Sequence, residues 1–158
     1  CGACQPREHF EAVRQQRVGE RFERAPEPRK GGRRLPKSLL LCQLQLGILG
    51  KANQVRARAS EADSNAISVR IELQADCLSG IWARGAEEMF GSLHAGDVEE
   101  AVNAAHRIGD DTLQRNAGRV PMPHTFTHGT SEQRARWFLR GYESGDMGKC
   151  DSFAARQL

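Results

Sequence analysis

From Leu46 onward the apolar positions of this chain recur at helical spacing, which predicts a mainly helical body. Residues Ser64 to Gly85 carry Ile67, Ile71, Leu78, Ile81 and Trp82 on one broad stripe and predict a long helix. The opposite face presents Glu72, Asp76, Ser79 and Ala83, so two carboxylates stand four residues apart among small side chains. Like charges at that spacing cost an isolated helix about a few tenths of a kcal/mol, and a cation on that face would offset the cost. The plainer reading is a solvated face that happens to hold two acids. Small neighbours such as Ser68, Ser79 and Ala83 would let a second helix approach closely.

A second helix is predicted over VEEAVNAAHRI, with Asp97 as N-cap, Glu99 and Glu100 in the first turn, and Gly109 as the stop. Val98, Val102 and Ala105 form its buried side. Pro121 and Pro123 make residues 118 to 127 extended or looped. Thr130 and Gln133 match the capping-box pattern and open a helix that contains Trp137 and Phe138 and runs to about Gly141. His128 therefore stands just before a helix start. A histidine there can face a cleft, although a lone histidine more often serves packing or the surface.

Charge changes the picture mainly at one end. The net charge of +3 splits into ten basic against five acidic residues over positions 1–45 and thirteen against fifteen over the rest. The N-terminal segment is rich in Arg, Pro and Gly, has no sustained apolar period, and reads as disordered or weakly helical. No nucleic-acid partner is expected of it, because acids are interspersed and its aromatics are limited to Phe10 and Phe22. At 158 residues with 39% hydrophobic and 27% charged residues, the chain fits one globular domain, with a core of Leu, Ile, Val and Ala since aromatics make up 6%. No apolar run approaches the roughly 20 residues that span a bilayer. The first residue is Cys1, which reads as the start of a fragment more readily than as a processed or lipid-modified terminus. Cys1 and Cys4 form C-x-x-C, but no second pair follows at zinc-finger spacing.

Three blocks, SNAISVRIELQADCLSGIWA, GDVEEAVNAAHRIGDDTLQ and FTHGTSEQRARWFLRGYESGD followed by CDSF, resemble in order and spacing the C-terminal part of the neutral zinc metallopeptidase family of bacteria. The resemblance covers residues 46–158. It implies a truncated zincin-like α+β domain, here dominated by helices, whose family relatives look like membrane-anchored gluzincin peptidases with the peptidase domain outside the cytoplasm. Zinc is the implied cofactor and a peptide or protein the implied substrate. On this likeness Glu72 matches the third, carboxylate zinc ligand, and Asp76 the carboxylate that orients a ligating histidine through its other ring nitrogen. His128 resembles the histidine that stabilises the oxyanion of the tetrahedral intermediate, and Arg134 fits a supporting arginine that would hold Glu72 or Asp76 by a charge-assisted pair. Cys77 and Cys150 each sit inside a matching block, so a bridge between them suits an oxidising compartment; Cys77 as a small buried residue is the alternative.

The departure from the family is as informative. A zinc peptidase needs H-E-x-x-H on one helix, two imidazoles for the metal and a carboxylate for its water. Just upstream of L-G-I-L the family pattern has A-H-E-V-G-H-H-V-Q, where this chain reads Lys37-Ser38-Leu39-Leu40-Leu41-Cys42-Gln43-Leu44-Gln45. The segment over residues 1–45 is therefore expected to be non-homologous, arising from a reading-frame change or gene-level replacement. A nucleotide sequence with no alternative frame encoding H-E-x-x-H would exclude the frame change. His124 and His128 have H-x-x-x-H spacing, but Pro123 argues against a helix there. Residues 38–49 are apolar enough to cover the small-residue face in place of the missing helix. The expected function is a zinc metallopeptidase family member that is inactive as this chain. The alternative is a non-catalytic peptide- or partner-binding module on the same scaffold.

Overall fold

A computed structural model describes residue 43 and residues 47–91, 93–94 and 96–158. The expectations for residues 1–45, apart from Gln43, lie outside the described residues, as does most of the expected cover by residues 38–49, of which 43 and 47–49 are described. The described chain forms α1 (Ile48–Arg56), α2 (Glu61–Phe90), α3 (Asp97–Arg107), α4 (Asp110–Asn116), a 3-10 turn (Pro123–Thr125), α5 (Ser131–Ser144) and a second 3-10 turn (Met147–Cys150). The mainly helical expectation holds, and no strand occurs among the described residues.

The axis of the molecule is α2, thirty residues long, which extends beyond the predicted Ser64–Gly85 at both ends. Ser60 caps it by accepting the Asp63 amide, Glu61 and Asp63 favour the N-terminal dipole, and Gly91 ends it at φ 54°. Helix α5 packs along α2 as the main helix pair, and α3 and α4 pack on α5 from the other side. Thr130 and Gln133 form the expected capping box at the start of α5. Val69, Leu73, Cys77, Leu78, Ile81, Phe126, Trp137 and Cys150 make the core between them. Cys77 and Cys150 are joined by a disulfide. The C-terminal residues are drawn onto α2 as well: Ser152 Oγ donates to the Arg70 carbonyl at 2.6 Å, and Arg70 donates to the carbonyls of Ser152 and Ala155.

Three sequence expectations are corrected. Trp82 is 46% exposed, because it lies at the edge of the stripe that Leu78 and Ile81 bury. The N-cap of α3 is Gly96 rather than Asp97, whose carboxylate instead accepts the His94 amide at 2.7 Å. As expected, α3 stops just before Gly109, which follows its C-cap Ile108 in extended backbone and also serves as the N-cap of α4. Gly141 does not end α5, which continues to Ser144.

Gly141 has a different purpose, which it shares with Gly80. A Cβ on Gly141 would lie 1.8 Å from the Cys77 carbonyl oxygen, and one on Gly80 would lie 2.0 Å from that of Phe138. Both glycines let the backbones of α2 and α5 touch. Alanine in a free helix is about 1 kcal/mol better than glycine, but overpacking against fixed backbone costs about 1–3 kcal/mol or more. Gly141→Ala and Gly80→Ala are therefore each expected to lower the melting temperature despite the better helix propensity. A thermal unfolding scan showing either variant as stable as the parent would refute the close crossing.

Candidate functional site

The site is built where α2 meets the start of α5 and the loop before it. Glu72 and Asp76 project from one face of α2, one turn apart, as the sequence spacing requires. Arg134, on the second turn of α5, donates from Nε and Nη2 to the two Asp76 carboxylate oxygens, each at 2.8 Å. Both partners are almost completely buried, with 5% and 9% of their side chains exposed. The pairing expected of Arg134 with Glu72 or Asp76 is thus made with Asp76. Burial lifts the Asp76 carboxyl above its ordinary range, and the guanidinium opposes that lift.

His128 lies in the loop that leads into α5, half exposed, with Nδ1 at 3.1 Å from Asp110 Oδ1 and at 3.0 Å from Thr127 Oγ1. The other Asp110 oxygen accepts the amides of Thr127, His128 and Gly129 at 2.7, 2.6 and 3.1 Å. One carboxylate therefore fixes both the loop backbone and the ring that the loop carries. Asp110 had no role in the sequence reading. Its signal was the Gly109-Asp110-Asp111 run inside the second matching block, which the reading took as a helix stop.

Glu72 is the acid left over. It is half-buried and makes no hydrogen bond or ion pair among the described residues. Desolvation pushes its carboxyl up; His128 and Arg134 work against that push, while Asp76 and Asp110 add to it. The structure thus brings Glu72, Asp76, His128 and Arg134 into one electrostatic neighbourhood and adds Asp110.

The raised Glu72 fixes the sign of a pH effect. A carboxyl whose folded pKa exceeds its unfolded value binds protons more readily when folded, so its ionisation costs stability as pH rises through that window. Glu72→Gln is expected to raise the melting temperature by a few degrees at neutral pH and to make no difference at acid pH, where the carboxyl is protonated in both the folded and the unfolded chain. A melting series over pH that shows Glu72→Gln neutral or destabilising at pH 7 would mean a partner holds the charge.

A sequence model of the family described as "Putative neutral zinc metallopeptidase" matches residues 41–153. The chain belongs to the neutral zinc metallopeptidase family. Over 112 residues it is 51% identical to Uncharacterized protein YpfJ of Escherichia coli (strain K12), a match that covers 70% of this chain and 38% of that protein. It is 39% identical over 122 residues to Uncharacterized protein Rv2575 of Mycobacterium tuberculosis (strain H37Rv), covering 72% of this chain and 40% of the other. The chain spans about two fifths of the length of these relatives. No solved structure matches significantly.

The family name implies zinc, and the donor set can be tested against it. No group of three or more His, Cys, Asp or Glu side chains among the described residues could hold a metal ion. The chemistry of each donor explains why. Asp76 is committed to Arg134, Asp110 to three amides and an imidazole, and Glu72 with a single histidine falls short of the three protein ligands zinc usually takes. The described residues do not fit zinc by themselves.

Proposed function

We propose that this chain carries the carboxylate side of a zinc metallopeptidase centre and does not itself hydrolyse peptides. Glu72 carries the reading: it is a half-buried acid, raised in pKa by desolvation, with no hydrogen bond or ion pair among the described residues, beside Asp76 and Asp110, which are already engaged by Arg134 and by the His128 loop. An acid in that state favours a cation supplied from outside the described residues. The sequence lacks H-E-x-x-H, and with it both imidazole ligands and the general base. Loss of a general base alone removes about 10²- to 10⁴-fold in rate. In the complete family site His128, oriented by Asp110, would face the developing oxyanion, and Arg134 would hold Asp76 in place. The site is proposed to lie outside the cytoplasm; the buried disulfide supports this, since such bridges persist in oxidising compartments. No helix among the described residues is long and apolar enough to cross a membrane.

Zinc stoichiometry and affinity of the purified chain, with Glu72→Ala as control, test the proposal. Weak zinc binding and no cleavage of casein are expected. Casein cleavage that a chelator blocks would overturn it. A second reading, a module that binds a peptide or partner without turnover, is favoured by one observation: an open apolar groove beside α1.

A further inference from the structure

Away from the carboxylates, α1 and the C-terminal turn form two walls of an apolar groove of about 620 Å³ whose floor is α2. Ile67 and Leu78 belong to the floor, Val55 to one wall and Phe153 to the other. Val55 is 58% exposed and Phe153 39%, so the rims carry apolar surface outward and the groove is not sealed from water. Contiguous apolar surface of this kind marks a contact.

The rims also carry opposite charges. Lys51 stands one turn before Val55 on α1 and has no ion pair among the described residues. Asp151 stands on the facing wall, where its Oδ1 accepts the Phe153 and Ala154 amides, both at 3.0 Å. That hydrogen bonding fixes the carboxylate at the rim. An apolar strip with a cation on one side and an anion on the other complements itself. A two-fold axis along the groove places the α1 wall of each copy against the C-terminal wall of the other, so that Lys51 meets Asp151 twice. Val55 of each copy then covers the apolar wall that carries Phe153. A surface with a single sign of charge would not have this property.

We infer that the groove pairs two copies of this chain in a two-fold dimer, Lys51 of each opposite Asp151 of the other. The inference rests on the binding-module reading above and supplies its partner. Interfaces of this isologous kind are the commonest way identical subunits associate.

Sedimentation velocity on the purified chain, over a wide range of concentration, reads the dimer directly. Lys51→Glu and Asp151→Lys, each checked for an unchanged helical circular dichroism spectrum, are expected to raise the dimer dissociation constant roughly tenfold, since attraction becomes repulsion at two rim contacts. Mixed together, the two variants regain both ion pairs and are expected to form the mixed dimer in preference to either self-pair. Val55→Glu, on an exposed position of α1, is expected to leave the chain folded and monomeric. A parent chain that is monomeric throughout, or a dimer indifferent to all three substitutions, overturns the inference. A monomer that binds a fluorescently labelled leucine-rich peptide, with Val55→Glu blocking it, overturns the dimer and leaves the binding-module reading standing. If the chain neither pairs nor binds that peptide, both fall.

Discussion

Arg134→Ala is expected to cost about 3–5 kcal/mol of folding stability at neutral pH, because it leaves the Asp76 charge buried and unpaired. Surface ion pairs rarely matter on that scale, so burial decides the magnitude here. The companion variant with both groups removed, Asp76→Leu with Arg134→Met, is expected to lose far less or to gain, since a well-packed apolar pair carries no desolvation penalty. The pH dependence supplies an internal control. Without its guanidinium the Asp76 carboxyl has lost the contact that opposes burial, so its folded pKa moves further above the unfolded value. The penalty in Arg134→Ala is then expected to shrink as pH falls and the carboxyl takes up a proton. Urea unfolding of the parent, Arg134→Ala and the double variant at two pH values measures all of this. A single variant as stable as the double would show that the pair is solvated and not buried. The functional consequence concerns Asp76. With each oxygen already holding one guanidinium N–H, an orienting contact to a metal-bound histidine has to use a remaining lone pair, and Arg134 becomes part of how that carboxylate is aimed.

The parts of this arrangement that were legible in the sequence are those encoded locally. The spacing of Glu72 and Asp76 places them on one face of a helix whatever the surroundings, and the Thr130–Gln133 capping box needs no tertiary information. The four-residue step that gave the carboxylates their face is also what made α2 readable as a helix. Its ends lie outside that pattern, because the Ser60–Asp63 cap precedes the apolar stripe. Gly109 and Gly141 are constrained from outside their own helices. Both face backbone from another element, Ser131 for Gly109 and Cys77 for Gly141, so neither glycine is there only to end a helix: α3 does stop before Gly109, but α5 runs on past Gly141. Asp110 was invisible for the same kind of reason, since its hydrogen-bond partners lie seventeen to nineteen residues further on. The resemblance supplied roles for Glu72, His128 and Arg134; the hydrogen bonds supply the pairings that decide which acid remains available to a cation.

Zinc affinity is expected to rise by several orders of magnitude when the family segment A-H-E-V-G-H-H-V-Q is grafted so that its final Gln falls on Gln43, and to stay low when that Gln falls on Gln45. Gln43 sets the register, in place of the Gln45 that stands opposite the family's last Gln when the segments are aligned directly upstream of L-G-I-L. It is fully buried, and its Nε2 donates to the Ile71 carbonyl at 2.9 Å and to Gln74 Oε1 at 3.1 Å, immediately beside Glu72 in α2. Gln74 in turn donates to the Cys150 carbonyl, so the contact ties into the disulfide-linked turn. The family match begins at residue 41, ahead of Gln43. In a grafted helix ending at Gln43 the three histidines fall at positions 36, 40 and 41; the H-E-x-x-H pair at 36 and 40 shares the face of Gln43 and therefore lies toward α2, with the glutamate at 37. That motif amounts to Pro36→His, Lys37→Glu and Leu40→His within the graft. A graft two residues later puts the H-E-x-x-H histidines at 38 and 42, turned by about 200° about the helix axis and away from Glu72, and leaves only the third imidazole, at 43, on the side of α2. Isothermal titration with zinc on both grafts, each with and without Glu72→Ala, separates the cases. Tight binding of one zinc per chain in the Gln43 register alone, lost in Glu72→Ala, is the expected result. Equal affinity in both registers, or affinity that survives Glu72→Ala, would mean that the imidazoles bind zinc without α2, and Glu72 would lose its claim to be the third ligand.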